Sequence, residues 1–291
     1  ARDVSPPPHP PRPAMNWPAF HHEAMATTFA IVIADHPRDY ARQAAAAAFR
    51  ELDRLESELS RYVESSDIAR ANRLAPGETM AIGDDALQCL LIAADVSLAT
   101  HRAFDAAYAS VRAPDQPDHA PLFTLDPASH TLTSHTARLH LDLGAVGKGY
   151  ALDRMAAHLQ EWDITTACLQ SGGSTALALS APAGHAGWPI GIGEGPNHRA
   201  LSLTHVALSG SGIAVQGAHL IDPRTGAACP RTTRTWARAR TAALSDALST
   251  AFFVFSEEEI AAFCAAHPGI GGASAVSSTQ LVTHGTLVPS L

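Results

Sequence analysis

The sequence predicts an α+β fold, and three observations carry that prediction. The β-branched run Thr27-Thr28-Phe29-Ala30-Ile31-Val32-Ile33 reads as a strand. Apolar residues then recur at helical spacing around 52–63 and again over 84–99. Beyond them, strand-like and helix-like pieces mix without the regular βαβ rhythm of a doubly wound sheet.

In chain order, Asp39 is placed to cap the first helix, where Leu52, Leu55, Leu59 and Val63 form an apolar stripe beside Arg50, Glu51, Asp53, Arg54 and Glu56. A second helix at 84–99 carries Leu87, Leu90, Leu91, Ala94 and Leu98 on one side. Residues 113–140, rich in Pro, Asp, Ser, Thr and His, read as loops and short strands. Leu139-His140-Leu141-Asp142-Leu143 alternates as a strand does, until Gly144, Gly147 and Gly149 break it. A helix begins near Gly149, with Leu152, Met155 and Leu159 inward. Strands return at 164–170, 175–180, 188–192 and 201–208. Ser245 is placed to cap a helix over 246–255, and Ser256 with Glu259 has the spacing of a capping box for another. Residues 273–288 read as a pair of strands, and no repeat of 20–50 residues is visible.

Ahead of this body, residues 1–18 hold seven prolines and almost no apolar side chains. Such a segment is extended and has nothing to bury. It reads either as a tether to a membrane anchor upstream or as a frayed terminus without a role. The folded domain is then 19–291.

The chain has 291 residues, 46% of them hydrophobic, enough for a large core. A formal charge of −8 argues against a nucleic-acid or anionic-membrane binder. Cys89, Cys168, Cys229 and Cys264 form no C-x-x-C pair, so neither a metal finger nor a disulfide framework is indicated. The longest charge-free run, Ile164 to Gly193, is broken by glycines and prolines and cannot be a spanning helix. Of the 20 basic residues 19 are arginine, and Lys148 is the single lysine.

That lysine lies in Gly144-Ala145-Val146-Gly147-Lys148-Gly149, which is not a Walker loop: Asp142 stands where the first Gly belongs, and Gly149 follows the lysine. Glycines before a helix N-terminus still suit an anion such as a phosphate, the plainer reading being an ordinary glycine turn. Gly172-Gly173-Ser174 and Ser209-Gly210-Ser211-Gly212 both miss the G-x-S-x-G frame of serine hydrolases. The 16 histidines show no H-E-x-x-H and no pair at helical spacing for zinc. Asp246 and Thr250, four apart on an expected helix, share one face and offer hard oxygens suited to Mg²⁺ or Ca²⁺. The alternative is a capping Asp and a Thr bonded to its own helix. The run His219-Leu220-Ile221-Asp222-Pro223-Arg224-Thr225-Gly226 ends in a turn signal.

Taken together, several segments give the chain a family resemblance. They are, in order, Met25-Ala26-Thr27-Thr28-Phe29; Ser60-Arg61-Tyr62 with Ser65, Ser66 and Asn72; Ala103-Phe104-Asp105; Asp142 through Asp153; Gly172-Gly173; His219 through Gly226; and Asp246-Ala247 with Thr250-Ala251. In this order they resemble the ApbE family of FAD:protein FMN transferases, formerly described as thiamine-biosynthesis lipoproteins. The resemblance implies an α+β fold related to tandem T-fold modules, with FAD as substrate contacted by Met25, Tyr62, Ala103, Phe104, Asp105, Asp142, Lys148 and Ile221. It implies Mg²⁺ on Asp246, Thr250 and the carbonyl of Ala145.

The reaction it implies is phosphoryl transfer from FAD to a threonine of an acceptor subunit of a membrane or periplasmic redox protein, with release of AMP. His219 would move a proton or orient the nucleophile, and Asp246 would serve catalysis through the metal. The resemblance also implies a bacterial periplasmic location, anchored through a lipidated amino terminus. Ala26, Ser174 and Leu208 stand where the family usually has Gly, an acidic residue and Thr, and the 211–218 link is short. These departures keep open FAD hydrolysis to FMN and AMP, or FAD binding without catalysis.

Overall fold

The structure, a computed structural model, describes residues 17–193, 195, 198–212, 221–227, 229, 234–277 and 280–287. The chain runs β1 (Ala19–Ala24), β2 (Thr27–Ile33), α1 (Arg38–Leu59), α2 (Asp67–Ala71), β3 (Thr79–Ala81) and α3 (Asp84–Ala99). It continues through β4 (Phe123–Asp126), β5 (Thr131–Ser134), α4 (Gly147–Glu161), β6 (Ala167–Ser171), β7 (Thr175–Ala178), β8 (Trp188–Ile192) and β9 (Arg199–Leu203). The last elements are β10 (Val206–Ser211), β11 (Thr235–Ala239), α5 (Ala242–Val254), α6 (Glu257–Ala266), β12 (Gly271–Ser277) and β13 (Gln280–Gly285).

Eight strands form one antiparallel sheet in the order β1-β2-β6-β7-β10-β11-β12-β13. Both of its faces are covered, which the strands' side chains explain. Phe29, Ile31 and Ile33 of β2, Leu169 of β6, Leu177 of β7, Ala207 of β10 and Ala237 of β11 point to the helices. Their neighbours Cys168, Ala178, Leu208 and Trp236 point the other way, into a second core closed by the β8–β9 hairpin through Trp188, Ile192, Leu201 and Leu203. On the helical side α4 packs between α1 and α5, and α5 lies on β10 and β11. A run of alanines on α1 (Ala41, Ala44, Ala45, Ala48) is fully buried, and short side chains let the helices approach closely. A small sheet, β3-β5-β4, adjoins this helical layer.

Several expected elements stand where the sequence puts them. The first strand expected, 27–33, is β2, 84–99 is α3, and Ser256 with Glu259 closes a capping box on α6. Others need correction. Asp39 is inside the first turn of α1 and caps nothing, Pro37 being the N-cap; α1 ends at Leu59, so Val63 lies beyond it. Residues 139–143 join no sheet. Leu139, Leu141 and Leu143 are buried in alternation, but the backbone pairs with side chains and a loop: Leu141 N–H donates to Asn72 Oδ1 (2.6 Å), His140 N–H to Ser110 Oγ (2.9 Å) and Asp142 N–H to the Ala106 carbonyl (2.8 Å). Helix α4 starts at Gly147, two residues ahead of expectation. The strand expected at 201–208 is two, β9 and β10, parted by a turn in which His205 has φ 52°. Ser245 is not a cap but a buried residue of α5, donating to the Ala237 carbonyl at 2.7 Å; Thr241 is the N-cap. The tether expectation falls almost wholly on residues 1–16, outside the described ones. Among the described residues no helix is long and apolar enough to cross a membrane.

Candidate active site

An open cleft of about 360 Å³ lies where the β1–β2 turn, the end of α1 and the start of α4 meet. Its lining includes Met25 and Ala26, Glu56, Arg61, Tyr62, Asp142, Gly144 and Lys148. Register Ala24↔Thr27 leaves two residues for the turn, and both Met25 (φ 51°) and Ala26 (φ 58°) are left-handed, as a type I′ hairpin requires. The Met25 N–H donates to Glu56 Oε1 at 2.8 Å, which ties the turn to α1.

Where α1 ends, Ser66 turns the chain: its hydroxyl donates to the Ser60 carbonyl (2.6 Å) and accepts from the Ala69 N–H (3.0 Å), capping α2. Arg61 and Tyr62 are presented between these points. The Arg61 guanidinium lies 4.5 Å over the Tyr62 ring, and its Nε is 3.3 Å from Asp142 Oδ2. Tyr62 is 79% exposed at the cleft mouth, with Arg61 against its ring and donating to its hydroxyl. Opposite, the Lys148 ammonium donates to the Gly144 carbonyl, and the Asp142 carboxylate accepts from the Gly144 N–H at 2.9 Å. Val146 at the N-cap of α4 contributes no side-chain cap; the Gly147 N–H donates to the Leu143 carbonyl at 2.6 Å, and Lys148 follows in the first turn of the helix.

Met25, Tyr62, Asp142 and Lys148 are therefore brought to one cleft. Ala103, Phe104 and Asp105 are not among its lining. Ala103 and Phe104 are core residues, and Asp105 accepts from Arg102 Nη2 (2.7 Å) and the Ala107 N–H (2.8 Å). Their loop stands behind Asp142 through the Asp142–Ala106 backbone bond. Ile221 is exposed and apart from the cleft lining. The turn signal after it holds: Thr225 and Gly226 N–H donate to the Asp222 carbonyl, and Arg224 bonds Asp222 and Glu259, fastening the loop to α6. His219 lies outside the described residues.

Asp246 and Thr250 share a face of α5. Asp246 is buried; its Oδ2 accepts from the Gly149 N–H (3.1 Å) and its Oδ1 from Thr175 Oγ1 (3.4 Å). Thr250 Oγ1 is 3.3 Å from Ser211 Oγ, which also bonds Ser249 Oγ at 2.9 Å. Among the described residues no group of three His, Cys, Asp or Glu side chains is placed to hold a metal ion. The donors on this face of α5 are one carboxylate and neutral hydroxyls, and the Ala145 carbonyl lies just ahead of α4 in the sequence. An all-oxygen set of this kind fits a hard cation such as Mg²⁺ and disfavours zinc.

Glu56, Thr175 and Ser211 are not among the site residues that the sequence singles out. Glu56 has no motif signal, since its role depends on a partner 31 residues away. Thr175 and Ser211 follow from strand register, which no local pattern reveals.

A cleft lined by Lys148, Arg61, two carboxylates and an exposed aromatic ring, one helix from an oxygen donor set, defines an α+β protein equipped to hold a polar, ring-bearing ligand. The ApbE family model matches residues 25–273, and the chain belongs to the ApbE family. Among solved structures, the flavin transferase ApbE from Vibrio cholerae superposes with a TM-score of 0.77 at 19% identity, over 92% of this chain and 97% of that one. The flavinyl transferase ApbE of Pseudomonas stutzeri, in apo form, gives 0.76 at 20% identity over 94% and 96%. The ApbE protein of Thermotoga maritima gives 0.74 at 21% identity over 92% and 97%. These likenesses establish the fold. No curated protein matches the sequence.

Proposed function

We propose that this protein transfers FMN from FAD to a threonine of an acceptor protein, with Mg²⁺ and release of AMP. The observation that carries the reading is the placing of Lys148, Arg61 and Tyr62 around one cleft, one helix away from Asp246 and Thr250, in a chain of the ApbE family. The flavin transferases of Vibrio and Pseudomonas that share its fold support it.

In this reading Lys148, in the first turn of α4, holds the pyrophosphate, while Tyr62 and Met25 offer apolar contact to a ring system. Arg61 is kept in place by Asp142 and stacks on Tyr62, so it orders the cleft mouth. Asp246, Thr250 and the Ala145 carbonyl would hold Mg²⁺, which supplies neutralisation of pyrophosphate charge when bound. The threonine Oγ forms a bond to the FMN-side phosphorus, the anhydride P–O bond breaks, and AMP leaves with that oxygen. His219 is assigned the threonine proton or the orientation of that hydroxyl, since an imidazole can act near neutral pH. The acceptor is assigned to membrane or periplasmic redox proteins, and the enzyme to the periplasm.

The test is incubation of the purified protein with FAD, Mg²⁺ and threonine-bearing acceptors, followed by mass spectrometry. The expected result is an acceptor heavier by one FMN and an equivalent of AMP. FMN and AMP appearing without acceptor would establish hydrolysis in its place. FAD binding with no AMP under any condition would reduce the protein to a flavin binder.

A further inference from the structure

Helices α4 and α5 cap each other. Asp246 of α5 accepts from the Gly149 N–H in the first turn of α4, at 3.1 Å. Asp153 of α4 accepts from the Ala242 and Ala243 N–H groups at the start of α5, at 2.8 and 2.9 Å. In each helix the acid stands one turn after the amide that the other acid receives: Gly149 then Asp153, Ala242 then Asp246. The arrangement is a near two-fold exchange of carboxylates between two helix N-termini. It is also tight, because a Cβ on Gly149 would lie 2.2 Å from the Ala242 carbonyl oxygen.

Each carboxylate fills a gap that local sequence leaves. Val146 provides no cap for α4. Thr241 caps α5 only at the Leu244 N–H, 3.3 Å away, and leaves the first two amides to Asp153. Asp153 therefore sets how the N-terminus of α5 sits on α4. Asp246 and then Thr250 follow on α5, so that seat, together with the packing of α5 on β10 and β11, sets their distance from Lys148 and Ala145.

We propose that Asp153 is a positioning residue: its carboxylate, by seating α5 on α4, sets the oxygen donors of α5 against the cleft wall of α4. It touches neither the cleft nor the donor set. The consequence for turnover rests on the flavin-transfer reading; the seating does not.

The test compares the wild-type protein with Asp153→Asn, whose amide group opposes one of the two N–H donors. Asp153→Ser, which leaves room for a capping water, serves if the first variant does not fold. Amide hydrogen exchange on the ligand-free protein is read first. Exchange should quicken at Ala242 and Ala243, and also at least tenfold at Gly149, on the other helix. Mn²⁺ binding, followed by electron paramagnetic resonance, should weaken at least tenfold, and kcat should fall with KM for FAD within about twofold. Faster exchange confined to Ala242 and Ala243, or Mn²⁺ affinity equal to wild type, overturns the proposal. If the wild type binds no Mn²⁺ and turns over no FAD, the flavin-transfer reading fails, and the Gly149 amide alone decides the seating.

Discussion

Ala26 pays for its place in the β1–β2 turn. With φ 58° it holds a left-handed conformation that an L side chain disfavours and glycine takes freely. Ala26→Gly should therefore stabilise the fold by about 0.5–1 kcal/mol, read as a higher urea midpoint at an unchanged slope; the gain is smaller than the strain because glycine also loosens the unfolded chain. Asp153 gives a pH signature at the same scale. Burial pushes its carboxyl up to about 6 against the lowering effect of the Ala243 and Ala242 amides, with the Asp246 charge raising it further. The native carboxyl thus keeps its proton to higher pH than the unfolded one, so stability falls as pH rises from about 4 to about 6. Asp153→Ala removes this titration. The stability advantage of wild type over the variant should narrow by on the order of 2–3 kcal/mol between about pH 4 and about pH 7, and melts at both pH values measure it. A constant gap would mean an ordinary carboxyl.

At the scale of elements, the α4–α5 contact decides what can change. Gly149 lies against the backbone carbonyl of Ala242, which cannot swing aside as a side chain would. Gly149→Ala gains helix propensity, worth about 1 kcal/mol, yet must push the two helices apart and loosen Asp246 and Asp153 together. We expect a net loss of at least about 3 kcal/mol, seen as a large drop in melting temperature; an unchanged or higher value would show that the crossing is slack. The same contact explains which elements were legible in the sequence. The capping box of α6 and the whole of α3 depend on residues within the element, and the local pattern suffices. The start of α5 does not. Its first amides are capped by Asp153, 89 residues away, so Ser245, a locally plausible cap, was free to be buried instead. The leucines of 139–143 alternate correctly in burial, but Asn72 and Ser110 take the hydrogen bonds that a neighbouring strand would have made. β11 carries both faces of a doubly covered sheet, with Trp236 and Ala237 in opposite cores, and so shows no polar alternation to read.

Across the whole molecule the cleft and the α5 oxygens are built by different elements and meet at the α4–α5 contact, through Gly149 and Asp153. The resemblance could name Tyr62, Lys148 and Asp246 because collinear motifs carry identity. It could not give Asp246 its second occupation as a helix cap, which arises only when the chain is folded. That double duty complicates the obvious variant. Asp246→Ala would remove the carboxylate to which the proposed function assigns Mg²⁺ and also strand the Gly149 N–H, costing about 1–2 kcal/mol, so lost turnover could be misread as lost chemistry. Asp246→Asn separates the two duties, because an amide oxygen still accepts from Gly149 while the charge is gone. Its stability should stay within about 1 kcal/mol of wild type, its FAD affinity, which the proposed function assigns to Lys148 and Tyr62, within a few-fold, and its Mg²⁺-dependent AMP release should fall at least 100-fold. Lys148→Met should do the reverse, weakening FAD binding by about tenfold or more through loss of the cation at the helix N-terminus, with the melting temperature nearly unchanged. Flavin fluorescence titrations alongside AMP release measure both variants. If Asp246→Asn releases AMP at the wild-type rate, the carboxylate is a cap and nothing more, and the oxygens of α5 have no part in the chemistry.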